Sequence, residues 1–114
     1  MPLPWIRLDT YTFENPKFLY LKEDGHYKQI VIHLEGMTYS ARHNLGGFIP
    51  KSALKVIGGT ARDARILVEF GLWTPCQGGW QINNWEEYQL SGDEVERRRK
   101  RAQDAARARW HPNS

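Results

Sequence analysis

Three glycine pairs, Gly46-Gly47, Gly58-Gly59 and Gly78-Gly79, cut the middle of this chain into short pieces. Glycine reaches backbone conformations that other residues avoid, so glycine pairs between apolar runs mark turns and helix ends. Each piece is therefore read as a separate element. Before the first pair, Tyr27, Ile30, Leu34, Met37 and Ala41 recur at spacings of three and four, which predicts a helix from Asp24 or Gly25 to Arg42 with these residues on its core face. A shorter helix precedes it, with Asn15 as N-cap and Pro16 at the first helical position. Phe48-Ile49 is too short for an independent strand, and a helix opening at Pro50 is expected to run through Ile57. After Gly58-Gly59, Thr60 caps a helix over 61–70 that buries Ala61, Ala64, Leu67 and Val68 and turns Arg62, Arg65 and Glu69 outward. Strands at 72–76 and 80–84 flank the turn Gln77-Gly78-Gly79, with Pro75 indicating an edge strand. Residues 5–10 read as a short extended segment.

Charge is distributed unevenly. The net charge is +3, yet residues 1–90 hold nine basic and nine acidic side chains, so the whole excess falls in 91–114. There Ser91 and Glu94 form a capping box, and a helix of about eighteen residues is expected to follow. Asp93–Arg97, Glu94–Arg98 and Glu96–Lys100 are acid-before-base pairs four apart, each worth ~0.3 kcal/mol. Apolar content is thin, so this helix is expected to fray when unbound. The chain thus divides into a folded unit at 1–90 and a basic helical tail at 91–114, and a neutral body with a basic tail points to an anionic partner.

Other classes are excluded on composition. At 114 residues, 40% hydrophobic and 25% charged, the chain has the size and balance of one globular domain. No apolar run approaches the ~20 residues of a membrane span, and the N-terminus lacks the pattern of a secretory signal. The single cysteine, Cys76, forms no internal disulfide, which places the expected location in a reducing cytoplasm. His26, His33, His43 and His111 share no metal-ligand spacing, and neither Gly58-Gly59 nor Gly78-Gly79 is followed by the Gly-Lys-Ser/Thr of a phosphate loop. His33 is read as a helix residue at the core edge, Cys76 as a half-buried strand residue, and Trp73, Trp80 and Trp85 as the core of the hairpin. No catalytic constellation, metal or cofactor is expected.

From residue 24 the order is helix, short strand, helix, glycine turn, helix, strand, glycine turn, strand. This is the order of a winged helix-turn-helix, in a mainly α (α+β) class, with an added N-terminal helix and the basic C-terminal helix. In that architecture the helix at 61–70 enters a major groove ~12 Å wide while the hairpin reaches neighbouring phosphates. Arg62 and Arg65 then read guanine or clamp phosphate, and Lys51, Ser52 and Thr60 hold phosphates near helix N-termini. The wing contributes Gln77, Gly78 and Gly79. The tail contributes Arg97, Arg98, Arg99, Lys100, Arg101, Arg107 and Arg109 to the backbone.

Five segments carry a family resemblance: Trp5-Ile6-Arg7-Leu8, Gly47-Phe48-Ile49-Pro50, Phe70-Gly71-Leu72-Trp73, the run Gly79 to Gln89 that contains Asn84-Trp85-Glu86-Glu87-Tyr88, and the arginine-rich segment after it. Together they resemble the N-terminal domain of phage replisome organisers and the small helix-turn-helix proteins of actinobacterial phages. The resemblance implies a winged-helix fold, binding to origin or operator duplex DNA, no catalytic activity, and a role in DNA replication or transcription regulation in the host cytoplasm. A homodimer through the C-terminal helix, and host or phage replication proteins, are candidate further partners. Replisome organisers continue into a second domain, whereas this chain ends at Ser114, so a stand-alone DNA-binding protein is expected. The competing reading is a phage-encoded interaction module that docks on a host protein through the winged helix or the tail. RNA is a third reading, weakened by the lack of a single-strand stacking platform.

Overall fold

The fold was analysed in a computed structural model that describes residues 3–88 together with Arg101 and Asp104. It is a mixed α+β unit in which helices pack on a small three-stranded antiparallel sheet.

A 3-10 turn at Thr12–Glu14 leads into α1, Pro16–Glu23. The Asn15 side chain accepts the Lys17 N–H, and Pro16 needs no partner for the N–H it lacks, so the start of α1 is satisfied locally. Helix α2, Tyr27–Arg42, is the central element. Its buried face holds Ile30, Met37 and Ala41 as expected, but also Gln29, Ile32, His33, Gly36 and Ser40. Tyr27, assigned to the core by its spacing, is 60% exposed, and Leu34 is only half-buried. The face is rotated because small and polar residues serve the packing. At Gly36 a β-carbon would lie 2.7 Å from the Ile49 side chain, so the bare helix backbone packs against the side chains of the sheet. The Ser40 hydroxyl accepts the Gly47 N–H and donates to the Phe48 carbonyl, which ties α2 to the next strand. Asn44, with φ of 56°, takes the left-handed position that ends α2, ahead of the glycines assigned to that role.

The expected hairpin is part of a larger sheet. Phe48–Pro50 forms β1, Trp73–Cys76 β2 and Gly79–Ile82 β3, in the order β1-β3-β2. The register pairs Ile49 with Trp80 and Trp73 with Ile82. Pro75 lies on β2, an edge strand, as its missing donor requires. Gly79 permits the β1–β3 approach, since a β-carbon there would fall 2.0 Å from the Ile49 carbonyl oxygen. Residues 5–10 form no strand.

The helix expected over 50–57 is not formed as such. Pro50 belongs to β1, Lys51–Ala53 is a 3-10 turn, and one further coil closes on Ile57 N–H to the Ala53 carbonyl. Gly59 N–H then bonds back to the Leu54 carbonyl and Gly58 takes φ of 79°, a glycine stop that arrives too soon for a full helix. Ala53, Leu54 and Ile57 are nevertheless buried, so the segment fills the core position of a helix. Helix α3, Ala61–Glu69, follows and packs on α2 and β2. It buries Asp63, Ala64, Ile66 and Leu67, with Val68 half-buried, while Ala61 faces solvent. The short α4, Trp85–Tyr88, leaves the sheet after Asn84, whose φ is 61°. Trp73 and Trp85 are buried and Trp80 half-buried, so the tryptophans do form the hairpin core.

Candidate nucleic-acid interface

The start of α3 is built around the carboxylate of Asp63, which three residues hold. Thr60 and Asp63 form a reciprocal capping box: the Thr60 hydroxyl accepts the Asp63 N–H at 3.2 Å, and Asp63 Oδ2 accepts the Thr60 N–H at 2.9 Å. The Thr60 hydroxyl also donates to Oδ2, at 2.9 Å. Oδ1 accepts the buried Gln29 amide at 2.8 Å, and Lys28 Nζ sits 3.2 Å from Oδ2. Burial pushes the Asp63 carboxyl up, but the bonds from Thr60, Gln29 and Lys28 outweigh it and hold the group below the usual carboxylate range. A fixed anion therefore occupies the N-terminus of α3, where the helix dipole favours one.

This arrangement changes the role expected for Thr60. Its N–H and hydroxyl are both given to Asp63, so it serves the cap rather than offering a phosphate its donors. The arginines on the same helix differ. Arg62 and Arg65 are exposed, and neither forms an ion pair among the described residues. Because Asp63 is turned inward and matched by Lys28, the outward face of this part of α3 carries positive charge without an acidic neighbour at 62–65. Glu69 lies exposed near its end.

Lys51 and Ser52 are exposed on the 3-10 turn, and the Lys51 N–H donates to the Gly78 carbonyl at 2.9 Å. That bond brings Lys51 to the tip of the β2–β3 hairpin, where Gln77 and Gly78 are exposed and Gly78 takes φ of 84°. Gly79 is buried against β1 and so does not share the exposed tip. The expected basic surface thus falls into two described groups, one on α3 and one joining the Lys51 turn to the hairpin. Of the tail residues, Arg101 and Asp104 are helical and exposed. Arg97, Arg98, Arg99, Lys100, Arg107 and Arg109 lie outside the described residues. Cys76, expected half-buried, is exposed on β2 next to the tip.

Two polar pairs were not anticipated. Gln29–Asp63 is one; the Thr60-x-x-Asp63 spacing signals the cap, but nothing local signals the Gln29 bond across 34 residues. The other is His33, which is 5% exposed and thus lies inside the core rather than at its edge. Its Nδ1 accepts the indole N–H of Trp73 at 3.0 Å, and burial lowers its pKa to about 4. No cluster of metal-ligating side chains occurs among the described residues, and no helix among them is long and apolar enough to cross a membrane. No protein-family model, curated protein or solved structure matches the chain.

Proposed function

We propose that this protein binds duplex DNA as a winged helix-turn-helix, with α3 as the recognition helix and the β2–β3 hairpin as the wing. The observation that carries this reading is the two-sided character of α3. One face is buried against α2 and β2, and the other presents Arg62 and Arg65, with Asp63 between them turned inward and paired with Lys28 and Glu69 exposed one turn beyond Arg65. A helix held this way is rigid enough to position guanidinium groups for bidentate contacts with guanine or phosphate. The Lys51 turn and Gln77-Gly78 add a second basic and polar contact beside the wing, suited to the sugar–phosphate backbone. The excess of basic residues after position 90 supplies further sequence-independent attraction. By its resemblance to the phage proteins, the site bound is a replication origin or an operator and the cell compartment is the host cytoplasm; a second copy through the C-terminal helix, or replication proteins, are the candidate further partners.

The test is selection of bound fragments from random duplex DNA, followed by binding measurements on the selected site. A recurrent motif is expected. Arg62→Ala and Arg65→Ala should each cost ~1–3 kcal/mol on that site if they contact bases. A double variant that binds as tightly as the parent refutes the assignment of α3. Failure to select any motif favours the protein-interaction reading.

A further inference from the structure

A groove of about 460 Å³ opens between the N-terminal segment and the end of the sheet, on residues the DNA reading does not use. Its size falls in the range of small-molecule sites. Phe18, Met37, Leu72, Ile82 and Trp85 line it and are all buried, so its floor is apolar. His33 lies among them, with the Phe18 ring edge-on at 5.7 Å.

The proton position on His33 follows from its one hydrogen bond. Nδ1 accepts from the Trp73 indole, so a neutral ring carries its proton on Nε2. The ring is neutral near pH 7 because burial lowers its pKa to about 4. That Nε2–H has no acceptor among the described residues. Yet no fully buried side-chain nitrogen or oxygen among them lacks a partner. His33 lines the groove, so Nε2 is open to it, a donor set among the apolar floor residues, while Asn15, Asn83 and Asn84 bring polar groups to the same groove.

The rim narrows the chemistry further. Asp9 and Glu14 stand on it, the Lys17 ammonium is given to the Gly71 carbonyl at 3.0 Å, and Arg7 has a partner of its own. Two cations and two carboxylates share this rim, so its charge balances and gives an ionic ligand of either sign no net attraction, whereas a neutral acceptor needs only the donor on the apolar floor. We propose that this groove binds a small, neutral, largely apolar molecule whose one acceptor, a carbonyl oxygen or ring nitrogen, takes the His33 Nε2–H. The site is separate from α3 and the wing, so it stands or falls independently of DNA binding.

The test uses the full-length, isotope-labelled protein without DNA. Propiophenone is the probe with an apolar ring and a carbonyl acceptor, and propylbenzene is the matched probe without one. Titration followed by NMR should show saturable shifts of the His33 Nε2, Trp73 indole and Trp85 indole signals with propiophenone. Propiophenone should bind about fivefold to tenfold more tightly than propylbenzene, the worth of one hydrogen bond. His33→Gln keeps an acceptor for Trp73 and a donor for the groove, so it should retain the preference; His33→Phe should abolish it. If His33→Phe fails to fold, the parent's response to the two probes decides alone. Absence of saturable shifts, or equal affinity for both probes, overturns the proposal.

Discussion

Acidification should destabilise this protein through one buried ring, before the carboxylates are protonated. His33 titrates near 6.5 when unfolded and at about 4 when folded. Between those values the unfolded chain binds a proton that the folded chain refuses. Stability is therefore complete above the unfolded value, falls as pH drops from 6.5 toward 4, and levels off below. At 1.36 kcal/mol per pH unit the full loss is roughly 3 kcal/mol, with about 2 kcal/mol gone by pH ~5. The structural cause is specific: a protonated Nδ1 would point a donor at the Trp73 indole N–H, itself a donor. Urea unfolding from about pH 7.5 to about pH 4, read as the midpoint at constant m-value, measures the loss directly. His33→Gln, which does not titrate, should flatten the curve in this window. Asp63 acts elsewhere on the scale, because its lowered pKa makes its contribution full above the ordinary carboxylate value and lost only below it. Parallel pH curves for the parent and His33→Gln would refute the argument.

Three further outcomes are expected. Asp63→Ala removes the capping box and leaves the buried Gln29 amide without its acceptor, so thermal or urea unfolding should show a loss of about 2–4 kcal/mol. Gly79→Ala drives a methyl into the Ile49 carbonyl and should cost at least ~3 kcal/mol in the same assay, whereas Gly46→Ala, which meets only the left-handed backbone penalty in open space, should cost ~1–2 kcal/mol. On a selected DNA site, deletion of residues 95–114 should shrink the slope of log K against log salt by roughly 3 to 4 units if about four phosphates are engaged, with sequence preference retained; an unchanged slope would show that this segment does not touch DNA.

The elements that the sequence announced are those with a local chemical marker. Asn15-Pro16 and Thr60 start helices because their hydrogen bonds close within three residues, and Gln77-Gly78 makes the turn where its glycine demands it. What the sequence left open or misread depends on distant partners. Strand β1, expected as a short strand too short to stand alone, exists because β3 supplies its bonds, a pairing no local pattern encodes. Apolar spacing alone does not define the face of α2: Gly36 is buried for being small, and Gln29, His33 and Ser40 are buried because Asp63, Trp73 and Phe48 satisfy them. The 50–57 segment has helical composition, but Pro50 pairs in the sheet and Gly58 stops the coil after little more than a turn. At the candidate interface, outward exposure of Arg62 and Arg65 followed from helical periodicity, while the inward turn of Asp63 between them did not.

The exposed position of Cys76 gives the protein a built-in attachment point. It is the only thiol in the sequence and stands one residue before the hairpin tip, on the strand opposite Gly79. A maleimide carrying a DNA-cleaving chelate would thus be delivered to one place on the molecule with no engineered mutation. On the proposed DNA-binding reading, strand scission around a selected site would then map where the hairpin lies along the duplex, and the number of cut clusters would tell whether one copy or two are present.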